Sequence, residues 1–392
     1  MNLMTSLPVP DSIAQQHSEQ LLTLIKHKIN EAGGKITFAD YMQLCLYAPG
    51  LGYYSAGSHK IGYGGDFTTA PEISSLFSRS LALQLIDVLR QLDQGNILEF
   101  GAGSGKMAVD ILRELNVKKC LPKHYYIIEA SADLRQRQQC IIHDEIPDLE
   151  DKVIWLDSLP EEFKGVVLAN EVCDAMPVHR LHFNNAVCYE CYIVNNDGLL
   201  QWSDDALSRT DLIGKVAEIQ SLIGDTDYFT EVNLTAEAWL TSVADKLQQG
   251  AVFIIDYGYP QAVYYHPQRS SGTMMCYYQQ QGHDNPLVLP GLQDLTAHVD
   301  FTSLAQIAVD NSLDVAGFQS QADFLLAGGI TELSSLNDND NDDAFVMLQQ
   351  ATEIKRLTSP TEMGETFKVL TLTKNLDQLL PRIQQGDRRY NL

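Results

Sequence analysis

Asn96-Ile97-Leu98-Glu99-Phe100-Gly101-Ala102-Gly103-Ser104-Gly105-Lys106 is the stretch that decides the fold. Ile97, Leu98 and Phe100 read as a short buried strand. Gly101, Gly103 and Gly105 follow at once, and Met107, Ala108, Ile111, Leu112 and Leu115 then recur at helical spacing. Strand, glycine turn and helix in that order make a nucleotide-binding α/β unit. The glycines let the chain turn sharply and let a ligand approach the backbone with no Cβ in the way. The helix start behind them offers free N–H groups to an anionic group.

The spacing narrows the ligand. A dinucleotide fingerprint is G-x-G-x-x-G, whereas this chain has G-x-G-x-G with Glu99 inside the strand end. A carboxylate there repels a pyrophosphate and suits a ligand carrying an ammonium. S-adenosylmethionine (SAM) has both an ammonium and a carboxylate at its amino-acid end. The form Glu99-x-Gly101-x-Gly103-x-Gly105 resembles the first motif of class I SAM-dependent methyltransferases. The competing reading is a tight strand–helix turn with no ligand.

At 392 residues the chain can bury a large core and hold more than one domain. Its formal net charge of −24 disfavours nucleic acid, because phosphate backbones are repelled and Arg388-Arg389 is too short a basic patch. The acidity fits a basic partner such as an arginine-bearing protein segment. Seven scattered cysteines read as free thiols in a reducing compartment. Cys188 and Cys191 alone cannot complete a four-ligand zinc site, and no metal is expected. No apolar run reaches membrane-spanning length. The first residues show neither an apolar signal core nor an Arg-rich presequence. A bacterial cytoplasmic protein with no membrane insertion is the expectation, and a homodimer is an assembly open to it.

The expected organisation is an N-terminal helical region and lid loop over 1–71, a first Rossmann-like part over 72–177, a hairpin and helix insertion over 178–230, and a second Rossmann-like part over 231–392. Residues up to about Gln16 read as a loose arm, followed by helices over Glu19–Ala32 and from Thr37, with Asp40 placed for a capping box. Ala48–Pro71 is a long loop without period, and loops of that length act as lids or binding loops. Thr69 reads as an N-cap with Pro71 in the first turn. That reading leaves room for ligand contact, and Ile73–Leu92 follows as one long helix.

Candidate site residues gather at strand ends. Glu129 ends the strand His124–Glu129, at the distance past the glycines where doubly wound folds place an acid on ribose hydroxyls. Asp157-Ser158 ends the next strand, where an acid can accept from an adenine amino group; a polar turn before Pro160 explains it equally. Asn170, Glu171 and Asp174 follow the apolar strand Val166–Ala169 and would project where a methyl acceptor lies. The plain alternative is a strand exit with solvated acids. From Val178 to about Ser203, alternation and Asn-rich turns signal hairpins. Asp256 ends a fifth strand. Tyr259–Asp300 is a second long irregular segment that could close over the same sheet edge as the first. Asn337–Asp343 is an acidic surface loop without calcium-ligand spacing.

These motifs together resemble the MidA-like (DUF185) family of class I SAM-dependent methyltransferases. The resemblance covers nearly the whole chain. It runs through Gly65-Asp66-Phe67-x-Thr69-Ala70-Pro71-Glu72, Glu99-x-Gly101-x-Gly103-x-Gly105 and Glu129-x-Ser131-x-x-Leu134-Arg135. It continues in Ala169-Asn170-Glu171-x-x-Asp174-Ala175-x-Pro177-Val178, Ile255-Asp256-Tyr257-Gly258, His298-Val299-Asp300-Phe301 and Met363-Gly364-x-x-Phe367-Lys368-Val369-Leu370. Ala102 stands where many relatives have proline, and Ser78-Arg79 replaces the usual Gly-Glu after Phe77. The resemblance implies an α/β fold with a seven-stranded Rossmann-like sheet, its last strand antiparallel, plus N-terminal helices and a small antiparallel insertion. It implies SAM as cofactor, with Asp66, Thr69, Glu99, Gly101, Gly103, Gly105, Glu129, Asp157, Ser158 and Asn170 as candidate contacts. It also implies methyl transfer to a protein. In the family's mitochondrial branch the acceptor is an arginine of a complex I subunit.

An arginine acceptor is always cationic and needs carboxylates to hold its guanidinium fork. Glu171 and Asp174 are the candidates. His298 and Asp300 could add a general base or could tie a loop to the following helix. Two rival classes remain: an NAD(P)-dependent oxidoreductase, disfavoured by Glu99 and the glycine spacing, and a non-catalytic SAM-binding assembly protein.

Overall fold

Seven mainly apolar runs become one sheet in the computed structural model, which describes residues 7–56, 68–335 and 344–392. They are β1 (Asn96–Phe100), β2 (Tyr125–Ile128), β3 (Val153–Leu156), β4 (Phe163–Asn170), β5 (Leu247–Tyr259), β6 (Asp314–Ser320) and β7 (Phe367–Lys374). Their order is β6-β7-β5-β4-β1-β2-β3. β1 to β5 pair parallel, and β7 runs antiparallel to both β5 and β6.

β4 is buried on both faces from Gly165 onward, which is why it reads as a continuous apolar run rather than an alternating one. Val166 and Leu168 join the core under the helices Ser75–Leu89 and Lys106–Val117. Val167 joins the core under Leu234–Lys246 and Phe301–Asp310. The strand order reverses between β1 and β4, so a crevice opens beyond their carboxyl ends.

Between β4 and β5 the chain leaves the sheet. His179–Asn184, Val187–Asn196, Leu199–Asp205 and Tyr228–Val232 build an antiparallel sheet, with the helix Asp211–Ile223 beside it. The hairpins expected after Val178 are present. Lys35–Thr37 also joins this sheet, pairing with Tyr192–Val194, an N-terminal strand too short to carry a periodic signal.

Other boundaries differ from expectation. The first helix starts at Ser12 rather than Glu19, because Asp11 caps it by accepting the Ala14 N–H at 2.8 Å. Thr37 caps the second helix, Phe38–Tyr47, and the Thr37 hydroxyl donates to Asp40 Oδ2 at 2.7 Å. Thr69 makes no side-chain cap bond. The expected long helix after Ile73 is broken at Ser74, whose extended backbone and hydroxyl cap a fresh helix at Ser75.

Tyr259–Asp300 is not irregular. Met275–Tyr278 pairs with both Gln281–His283 and Asp294–Thr296 in a small antiparallel sheet. This sheet packs on the N-terminal helices through Leu21, Ile25, Tyr41, Cys276 and Leu295. The Tyr41 hydroxyl donates to the Pro286 carbonyl at 2.7 Å. The N-terminal segment and the 273–298 segment therefore meet over the carboxyl end of the sheet. Asn337–Asp343 lies outside the described residues. Among the described residues no helix is long and apolar enough to cross a membrane.

Candidate active site

A cavity of about 470 Å³ lies in the crevice beyond β1 and β4, within the range that small-molecule sites occupy. Gly101, Gly103 and Gly105 all have positive φ, at 60°, 54° and 87°, where a Cβ is strained. Gly101 and Gly103 line the cavity. Gly105 does not; it starts the helix Lys106–Val117, and a Cβ there would stand 2.9 Å from Ile141 Cγ2.

Glu99 lines the same end and is buried. The Tyr125 hydroxyl donates to its Oε2 at 2.7 Å. Burial pushes the carboxyl up to about 7, so a nearby ammonium would draw it into the ionised form. Glu129 accepts the Ser131 N–H at 2.9 Å on one oxygen and Gln138 Nε2 at 3.0 Å on the other. Burial raises its pKa. Gln138 also donates to the Gly103 carbonyl at 3.0 Å and accepts Trp155 Nε1–H at 2.9 Å. It ties the glycine turn, the β2 acid and β3 into one frame. The residue sits one helical turn past Leu134, which itself lines the cavity; that i, i+4 relation was the signal in the sequence that could have found it.

The other end of the cavity is built after β4. Asn170, Glu171 and Asp174 all line it. Glu171 has φ 53°, a left-handed residue at the strand exit. Its Oε1 lies 3.4 Å from both the Ala70 N–H and Asn170 Nδ2, which donate to it. Burial, reinforced by Asp174, pushes Glu171 up to about 8. Burial lifts Asp174 to about 6, opposed by the Tyr257 hydroxyl, which donates to its Oδ2 at 2.5 Å. Asp174 Oδ1 and Asn170 Oδ1 are buried and have no hydrogen-bond partner among the described residues. Below them Asp256, fully buried, accepts the N–H groups of Cys173, Asp174 and Tyr257 at 3.0, 3.2 and 2.9 Å. This acid holds the turn that presents Asp174.

His298 lines the cavity. Its Nδ1 lies 3.2 Å from the Thr273 carbonyl. A carbonyl only accepts, so Nδ1 carries the proton and Nε2 keeps its lone pair. The ring stacks on Tyr259 and meets Tyr257 edge-on. Burial drops its pKa to about 4, so it is neutral. Asp300 instead caps the helix Phe301–Asp310 by accepting the Thr302 and Ser303 N–H groups; it ties the loop to the helix.

Thr69 lines the cavity with its neighbour Thr68. Asp66 lies outside the described residues. Asp157 and Ser158 are not among the lining residues. Asp157 is 89% exposed and pairs with Arg135 at 2.7 Å, so its carboxylate is turned to the surface of the Ala132–Glu145 helix and not into the crevice.

Residues 80–319 match the model of a family described as "Putative S-adenosyl-L-methionine-dependent methyltransferase". The chain belongs to this family of SAM-dependent methyltransferases. A COG1565 superfamily member from Burkholderia thailandensis, crystallised with S-adenosyl-homocysteine, superposes with a TM-score of 0.94 at 40% identity over 99% of this chain and 100% of that one. A native crystal structure of a COG1565 superfamily protein from the same organism gives 0.91 at 39% identity, over 99% and 100%. Curated relatives include the mitochondrial protein arginine methyltransferase NDUFAF7 of Homo sapiens, 28% identical over 95% of this chain and 86% of that protein. Its Drosophila melanogaster homolog is 29% identical over 93% and 87%.

The residues present fit SAM. A positive-φ glycine turn, a buried acid beside it, an acid at the end of β2 with lone pairs to spare, and an unpartnered Asn170 Oδ1 suit an amino acid, a ribose and a cationic centre. SAM, when bound, supplies a methyl group on a sulfonium. The glycine turn and Glu99 would hold its amino-acid end and Glu129 its ribose, with Asn170 on the cavity wall beside Glu171.

Proposed function

We propose that this methyltransferase modifies an arginine side chain of a protein. The observation that carries the proposal is the pair Glu171 and Asp174 beyond β4, with a buried oxygen of Asp174 that has no partner among the described residues. A guanidinium carries five N–H donors in a rigid fork and can meet both carboxylates. Binding a cation lowers the pKa of each acid below its present raised value, so the ionised clamp forms as the acceptor arrives. Holding the fork still orients one nitrogen toward the methyl group, and positioning supplies most of what such a displacement needs. His298, neutral with a free Nε2 lone pair, is the candidate to accept the proton that the methylated guanidinium gives up. The naming of the curated relatives as arginine methyltransferases supports the same reading.

The described cysteines are all free, which suits a reducing compartment such as a bacterial cytoplasm. A NADH dehydrogenase subunit is the acceptor that the family resemblance brings forward. The test is transfer of labelled methyl from SAM into a lysate of cells lacking this protein, followed by mass spectrometry of the labelled residue. Methylarginine supports the proposal; label on another residue type refutes it.

A further inference from the structure

The wall of the cavity away from the glycine turn comes from the small sheet in the 273–298 segment. Asp294 stands opposite Tyr277 in the antiparallel register, so both side chains share a face, and both line the cavity. The alternation continues along the strand. Thr296 and His298 line the cavity as well, while Leu295 and Ala297 are buried against the N-terminal helices. Asp294 is 3% exposed, and its Oδ1 accepts the Tyr54 hydroxyl at 2.9 Å. Tyr47 stacks on Tyr54 with ring centroids 5.6 Å apart, and both rings line the cavity.

This wall has the chemistry of a cation site. Among the described lining residues, Glu72, Glu99, Glu129, Glu171, Asp174 and Asp294 face the cavity and no lysine or arginine does. Glu99 and Glu129 belong to the cofactor end. Asp174 Oδ1 is buried and has no donor among the described residues. Asp294 is close enough to Glu171 to act on its charge.

We propose that Asp294, with Tyr54 and Tyr277, is the acceptor-selecting wall of the site and binds the guanidinium of a protein arginine in preference to the ammonium of a lysine. The proposal rests on the arginine reading above. A planar guanidinium spreads its donors widely enough to engage carboxylates from separate elements, and its faces stack on phenol rings. A compact ammonium offers three donors at one point and gains less from a wall across the cavity.

The test uses the S-adenosyl-homocysteine-loaded protein and two probes, N-acetylarginine methylamide and N-acetyllysine methylamide, followed by saturation-transfer NMR. Wild-type protein is expected to prefer the arginine probe. Asp294→Asn should weaken that probe by at least about thirtyfold, the smaller end of the loss for one partner of a buried charge pair, with S-adenosyl-homocysteine affinity unchanged. Tyr54→Phe removes the hydrogen bond to Asp294 and keeps the ring; it should lower the arginine preference by a smaller factor. Wild-type binding of the arginine probe by Asp294→Asn overturns the proposal, as does a wild-type protein with no preference. Should Asp294→Asn not fold, an unchanged preference in Tyr54→Phe overturns it. Label on arginine in the lysate assay together with wild-type probe binding by Asp294→Asn would sink this inference alone. Label on another residue type would sink the arginine reading with it.

Discussion

Glu129→Gln isolates the ribose contact. Glu129 already accepts one bond on each oxygen, from Ser131 and Gln138. A carboxylate has about four acceptor sites, so two remain for vicinal hydroxyls. Alanine would strand the Ser131 N–H and one Gln138 bond, mixing folding with binding. Glutamine keeps the volume and one acceptor oxygen, removes the charge, and gives up only one of the two existing bonds because its NH2 faces a donor, a loss that the melt of the free protein reads separately. Hydrogen bonds to a charged group are worth about 1.5–3 kcal/mol, so SAM affinity should fall by about ten- to a hundredfold. Calorimetric titration of SAM and S-adenosyl-homocysteine, with a thermal melt of the free protein, reads both terms. Unchanged affinity in a variant with an unchanged melt would refute the ribose assignment. A collapsed melt with unchanged affinity per folded molecule would make Glu129 structural.

Three further outcomes follow from the geometry. Gly103→Val should abolish SAM binding by calorimetry, because a branched side chain at φ 54° is strained and fills the ligand's approach to the backbone; NADH should not bind the wild type. Glu171→Gln should raise the melting temperature of the free protein more at pH 8 than at pH 5. The folded carboxyl titrates near 8 against 4.5 for the ordinary group, so the wild type loses this group's stabilisation as pH rises from 4.5 through 8; a pH-independent difference would refute the assigned burial. Asp256→Asn should lower methyl transfer by about tenfold or more while SAM affinity holds, since its NH2 replaces one of the two oxygens that accept the N–H groups under the Asp174 turn, and a buried donor left unsatisfied costs about 1–3 kcal/mol; unchanged transfer would show that the turn holds its shape without it.

The core sheet was legible in the sequence because each strand is a separate apolar run ending in a polar residue. Glu99, Glu129, Asn170, Glu171 and Asp174 stand out there as acids and an amide at strand ends, and all five line one cavity. Asp157 stands out in the same way, yet its carboxylate meets Arg135 at the surface. Position at a strand end does not say which way a side chain turns. Asp294 was hidden because its strand is only three residues long, too short for alternation to register against the surrounding Gly, Pro and Tyr. Gln138 shares a helix face with Leu134, but its role depends on three partners far apart in sequence, Gly103, Glu129 and Trp155, which that local relation does not show. The Ser74 break was hidden because Ile73, Leu76 and Phe77 keep helical spacing across it, and the interruption rests on a single extended backbone.

The central claim is that Glu171 and Asp174 hold a cationic acceptor in this cavity. Single-turnover methyl transfer with SAM affinity measured on the same samples tests it most directly, in Glu171→Gln, Asp174→Asn and the double variant. Each single change keeps shape and removes charge, and should lower the transfer rate by more than about tenfold, the effect of losing at least about 2 kcal/mol from one charge-assisted partner. SAM affinity should hardly move, and the double variant should be non-additive if both acids grip one guanidinium. Wild-type transfer rates in both single variants would contradict the carboxylate clamp and leave a neutral acceptor, with His298 as the base, as the reading to pursue.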